Sequence, residues 1–208
     1  KESSLKVYLH EAAKQGLIHD AGRGWYSCLS EILMLDPKPV ARLIRTVEKA
    51  FPLLEFATWS TVQINPWMHH MLAQPTALLY ADGDALESVG EKLRDLGWQV
   101  AINPTPSEGP KTVRPGPKTV VLRPSISKQP EGAKHQAPIE KILVDLAAET
   151  LKLALMDNSE AQSVTEAILS RYLVQLAALQ SYAERRGVCL ATLDAINQRQ
   201  STPGAGGS

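Results

Sequence analysis

Between Thr76 and Ile102 the chain reads strand, helix, strand with almost no slack, and this run restricts the fold more than any other feature. Thr76-Ala77-Leu78-Leu79-Tyr80 is a short continuous apolar run, the pattern of a strand buried on both faces. Asp84 to Leu96 then follows helical spacing, with Leu86, Val89, Leu93 and Leu96 inward and Gly97 as the stop. Trp98 to Ile102 is the next strand. Two strands separated by one helix predict a parallel pair joined by a crossover. Leu53 to Trp59 and Thr119 to Arg123 supply further strands. A helix over 39–51 starts near Pro39, buries Val40, Leu43, Ile44 and Val47, and leaves Arg42, Arg45 and Lys49 on its remaining surface. A short helix is expected from Pro66, carrying Trp67, Met68, Met71 and Leu72.

The ends differ from this centre. Leu5, Tyr8, Leu9, Ala12 and Ala13 form one helical stripe, with Ser3 or Ser4 as a cap and Gly16 as a left-handed stop. Leu17-Ile18-His19-Asp20 and Trp25-Tyr26-Ser27 flank the turn Ala21-Gly22-Arg23-Gly24, which predicts a hairpin with Arg23 at its tip. The last third predicts helices from Pro138 to Leu155, from about Ser163 to Arg186, and from Leu190 to about Gln198. The expected fold class is α+β or α/β: a partial winged-helix N-terminus, a small mixed α/β middle and a helical C-terminal part. The expected division is a DNA-binding segment over 1–35, a partner-binding α/β and helical domain over 36–200, and a disordered tail over 201–208.

Lys and Arg total 22, as do Asp and Glu, which argues against a chain that coats nucleic acid and leaves room for a local basic face. The most basic stretch is the Pro- and Gly-rich 103–137. No apolar run reaches the ~20 residues of a membrane span, so the expected setting is cytoplasmic, with no membrane partner. The absence of an initiator Met predicts a processed chain or a piece of a longer one. Cys28 and Cys189 sit among apolar neighbours and are expected to be reduced, buried thiols.

Catalytic constellations do not emerge. His69-His70 lacks the Glu of a zinc helix. Ser30 and Ser60 lie in no nucleophile elbow. Gly22-Arg23-Gly24 is too short for a phosphate loop. Asp82 and Asp84 follow a strand end, where α/β folds place functional groups, but turn chemistry with a helix cap at Asp84 explains them. The expectation is a protein without enzymatic activity, cofactor or metal ligands.

The N-terminal helix and hairpin carry the stronger functional pattern. Lys6, His10 and Lys14 lie off the apolar stripe, and with Ser3 and Ser4 they form a face suited to the DNA major groove. Arg23 is placed to reach a phosphate or the minor groove.

Gly16-Leu17-Ile18 followed by Gly22-Arg23-Gly24-Trp25-Tyr26 resembles the helix-plus-wing half of the winged domains of AbiEi-type antitoxins. Ala137-Pro138-Ile139-Glu140-Lys141-Ile142-Leu143-Val144-Asp145-Leu146 is similar to a helix of an AbiEi-like family. Ser170-Arg171-Tyr172 and Leu179-Gln180-Ser181-Tyr182-Ala183-Glu184-Arg185-Arg186-Gly187 resemble the helix that follows it there. The resemblance implies an AbiE-like type IV antitoxin, involved in phage defence, that represses its own operon through operator DNA and counteracts a nucleotidyltransferase-like toxin encoded nearby. It also implies that the chain opens at the recognition helix of a winged domain. A homodimer is the other partnership expected. Glu140, Lys141, Asp145, Arg171, Tyr172, Tyr182, Arg185 and Arg186 are the candidate partner-binding or structural residues. Lys141 and Asp145 are spaced to touch on one helix, and Arg185 or Arg186 can reach Glu140 or Asp145 if their helices run antiparallel. Two alternatives stand beside the antitoxin: a winged-helix transcription regulator without a toxin, and a diverged α/β nuclease using Asp82 or Asp84.

Overall fold

The structure is a computed structural model that describes residues 2–69 and 75–193. Its centre is a four-stranded mixed sheet of β3 (Phe56–Ser60), β4 (Ala77–Ala81), β5 (Gln99–Ile102) and β6 (Thr119–Pro124), in the order β3-β4-β6-β5. β3 runs antiparallel to β4, whereas β6 is parallel to both β4 and β5. The expected parallel relation of β4 and β5 therefore exists, but the two are not neighbours. β6, which is buried almost throughout, is inserted between them.

Alternation along the strands divides the core into two. Ala77, Leu79, Ala81, Val120 and Leu122 face one layer, made by α2 (Lys38–Ala50) and α3 (Leu86–Asp95). Leu78, Tyr80, Val121 and Trp59 face the other, made by α5 (Ile139–Leu153), α6 (Asn158–Leu169) and α7 (Leu176–Arg186). The outcome is three layers, helices on both faces of a sheet. The edge of β3 is covered by 136–137, where the Ala137 N–H donates to Thr58 O at 2.9 Å. The minor helix α4 (Gly109–Thr112) lies in the loop before β6.

Four expectations change. The helix expected over 163–186 is two, α6 and α7. Between them the chain turns over 170–172 and then extends: Leu173 pairs with Ile32, and the Gln175 N–H donates to the buried Glu140 carboxylate at 2.9 Å. The apolar positions Val164, Ile168, Leu179 and Tyr182, which one helical spacing would join, thus belong to two helices. The helix expected at Pro66 begins at Thr61 as a 3-10 helix, because Gln63 Oε1 accepts the Ser60 N–H and caps it. Pro66 lies inside its last turn, and Met71 and Leu72 lie outside the described residues. The third C-terminal helix starts at 191, and the rest of its expected span, beyond 193, lies outside the described residues. Cys28 and Cys189 are exposed rather than buried. Around Cys189 the chain alternates, so that Leu190 takes the buried position instead.

Candidate functional site

Two places gather the residues singled out in the sequence. The first is the N-terminal arm: α1 (Glu2–Lys14) and the hairpin of β1 (His19–Asp20) and β2 (Tyr26–Ser27). Ser3 and Ser4 fall inside the first turn of α1, not ahead of it, because the helix already begins at Glu2. Gly16 closes the helix with φ +72, as its position predicts. Lys6, His10 and Lys14 are exposed, and so is Arg23 at the hairpin tip. Leu5, Val7 and Tyr8 are exposed as well, with Tyr8 at 73%. On the apolar stripe of α1, Leu5, Tyr8 and Ala13 are exposed, whereas Leu9 and Ala12 are half-buried.

The hairpin is anchored to the body. Ala21 and Trp25 are buried, and Ala21 O accepts the N–H of Ala177 in the first turn of α7. Gly22 carries φ +96, and a Cβ there would stand 2.5 Å from the Ala177 Cβ, so only glycine fits both the turn and the contact. The turn meets α7 through Ala21 and Gly22, while Arg23 is exposed.

The second place is a buried charge network between the sheet and α5 and α7. Lys141, Asp145 and Glu149 occupy successive turns of α5, and all three are fully buried. Lys141 Nζ lies 2.8 Å from Asp145 Oδ2 and donates to Tyr182 Oη at 2.8 Å, and Tyr182 Oη donates to Asp145 Oδ1 at 2.7 Å. Arg186 reaches Glu149 at 2.9 Å and Asp145 at 3.4 Å. Arg123, from β6, donates two hydrogen bonds to Glu149 Oε2 at 2.9 and 2.6 Å. The Lys141 ammonium also stands 3.5 Å from the centre of the Tyr80 ring.

The charge states follow from this burial. Desolvation pulls the Lys141 pKa below the ordinary lysine range, against the pull of Asp145. Burial, reinforced by Asp145, holds the Tyr182 hydroxyl well above the tyrosine range, and burial does the same to Tyr80. For Arg186 burial opposes the charge, but Tyr80, Asp145, Tyr182 and Glu149 outweigh it and raise the pKa.

The remaining residues are scattered. Contacts along α5 and α7 advance in the same direction, from Glu140 near Gln175 to Glu149 against Arg186, so the two helices run parallel rather than antiparallel. Arg186 still pairs, because it sits one turn beyond Tyr182 and meets Asp145 and Glu149 from the far end. Arg185 faces outward and donates to Lys128 O at 2.6 Å. Tyr172 is buried edge-on against Trp67, while the neighbouring Arg171 is exposed beside Glu31 at 3.7 Å. Arg123, Glu149 and Tyr80 are members of the network that the sequence reading missed. Glu149 was visible as the next step of the Lys141-Asp145 spacing. Arg123 ends an otherwise apolar strand and offered no such hint.

Asp82 Oδ1 accepts the Asp84 N–H at 3.0 Å, so the helix-cap role expected of Asp84 falls to Asp82. His69 approaches Glu160, at 3.6 Å from its ring, and His70 lies outside the described residues. Among the described residues no cluster of three or more His, Cys, Asp or Glu side chains is arranged to hold a metal ion. No helix among them is long and apolar enough to cross a membrane.

The sequence over residues 4–201 matches one family model. The chain belongs to DUF6577, a family of unknown function. No curated protein and no solved structure matches it. The DUF6577 match spans the arm, the sheet and all the helices described above, so arm and network belong to one family unit.

Proposed function

We propose that this DUF6577 chain is a non-catalytic regulator: a DNA-binding autorepressor and antitoxin of the AbiE kind, which counteracts a nucleotidyltransferase-like toxin. The observation that carries the reading is the arm. A helix with Lys6, His10 and Lys14 in solvent is followed by a hairpin with an exposed Arg23 beside an anchored Ala21. Exposed basic side chains on a helix and a neighbouring hairpin tip suit contacts to a phosphate backbone. The buried network has a structural part in this reading. Glu140, Lys141, Asp145, Tyr182 and Arg186 are committed to internal contacts, so they serve this function by shaping the body and not by touching a partner.

The test uses operator DNA and the adjacent gene product. Arg23→Ala weakens binding by a similar factor on all sequences and lowers the salt dependence by about one phosphate contact. Unchanged affinity and salt slope would refute the role of the wing. Co-purification with a nucleotidyltransferase and rescue from its toxicity separate the antitoxin from a regulator without a toxin. A second reading draws on the exposure of Leu5, Val7 and Tyr8: α1 seats a protein partner, either the toxin or a second copy. In that case Tyr8→Ser abolishes complex formation and leaves DNA binding intact.

A further inference from the structure

We infer that the outer face of α2, with Lys92 of α3, is a binding site for the phosphate backbone of nucleic acid. Lys38, Arg42, Arg45 and Lys49 recur at i, i+4, i+7 and i+11, which places them in one row along α2. The row is about 16 Å long at the rise of an α-helix. It lies opposite Val40, Leu43, Ile44 and Val47, which bury the other side of the helix. All four cations are exposed, and so is Lys92.

The surface is also concave. A cleft of about 720 Å³ opens between α2 and α3, with Arg42, Arg45, Lys49 and Lys92 around it and Phe51 and Leu96 at its base. No carboxylate lines it. None of these cations takes part in an ion pair among the described residues. Glu48, the acid of α2, lies instead beside His135 at 3.6 Å. A chain of zero net charge has thus gathered five cations on one face without neutralising them.

The spacing and the floor point to nucleic acid in preference to an acidic protein. Charges repeated along a line match a polymer whose phosphates repeat. Guanidinium groups bind phosphate through two parallel hydrogen bonds. Leu96 is 46% exposed and Phe51 is half-buried, so the base of the cleft offers apolar surface to a sugar or a base face. None of these residues belongs to the α1 and hairpin arm, so this site stands or falls apart from the function proposed above.

Five phosphate contacts give a slope of log K against log salt of about −4.5 on duplex DNA. The experiment measures fluorescence anisotropy of the full chain on a mixed-sequence duplex, and on one of its strands, across a salt series. Arg42→Ala/Arg45→Ala/Lys49→Ala is expected to reduce the slope by about 2.7 and low-salt affinity at least roughly tenfold, with an unchanged circular dichroism melt. Arg42→Lys/Arg45→Lys keeps the charge and should keep most of the slope. Lys92→Ala repeats the test from a different helix and should lower the slope by about 0.9. A triple variant with parental slope and affinity would overturn the inference, including the case in which Arg23→Ala alone removes binding. Polyglutamate competing as well as DNA at equal charge would also overturn it, by showing a generic site for acidic protein.

Discussion

Asp145→Asn isolates the electrostatic part of the buried network, because it keeps the side-chain shape and removes one charge. In the native chain three cations, Lys141, Arg123 and Arg186, share two carboxylates, Asp145 and Glu149. The substitution leaves Glu149 alone to face all three. Lys141 loses its counter-ion at 2.8 Å, and Arg186 loses one of its two carboxylates. Breaking a buried pair from one side costs about 3–5 kcal/mol, a large part of the ~5–15 kcal/mol that holds a domain together. With a urea slope of about 2 kcal/mol per molar, the unfolding midpoint should fall by about 1.5–2.5 M. The loss should shrink as pH rises toward the ordinary lysine range, since burial already favours the neutral amine of Lys141. Lys141→Met/Asp145→Leu removes both charges and should recover most of the stability, as apolar replacement of buried pairs does. Urea unfolding followed by circular dichroism is the assay. A midpoint for Asp145→Asn within about 0.3 M of the parent would show that the network does not hold α5 and α7 to the sheet.

Tyr80 and Tyr182 have pKa values raised by burial, so the stability they contribute is complete below about pH 10, the unfolded value, and is lost above it. Alkaline titration should show phenolate absorbance rising together with unfolding, and Tyr182→Phe should move that transition to higher pH. Ala154 ends α5 in the left-handed region at φ 51, so Ala154→Gly should raise stability by up to about 1 kcal/mol, measured by thermal melting. Gly22→Val should detach the hairpin from Ala177, seen as faster proteolysis near Arg23 with little change in the global melt.

Local pattern carried much of the fold and little of its assembly. The periods of α2, α3 and α5 and the apolar run of β4 were plain, because each reports burial of one face or of the whole element. The position of β6 between β4 and β5 was not, since strand order depends on contacts across the chain that no local period encodes. The break between α6 and α7 was hidden because Tyr172, in the turn after α6, and Val174, in extended chain, are buried and still fit the apolar pattern. The network was half visible. Spacing brought Lys141 to Asp145, but charged residues are ordinarily read as exposed, and only the structure shows α5 buried on nearly every side from Ile139 to Leu146. The basic row on α2 was likewise present in the sequence as the charges left over from the buried stripe. Its neighbour Lys92 and the cleft required the packing of α3.

The hydrogen bond from Ala177 to Ala21 joins two residues near opposite ends of the described chain. On the ribosome the hairpin is made before its docking surface, because α7 follows the whole four-stranded sheet and α2 to α6. A nascent chain can close its turn at Gly22 but has no Ala177 to seat it on until α7 has emerged. The seat of the hairpin that carries Arg23 is therefore complete only once α7 is in place. A chain that stalls before α7 would carry the hairpin without this seat, so the fold itself withholds an anchored hairpin from incomplete copies.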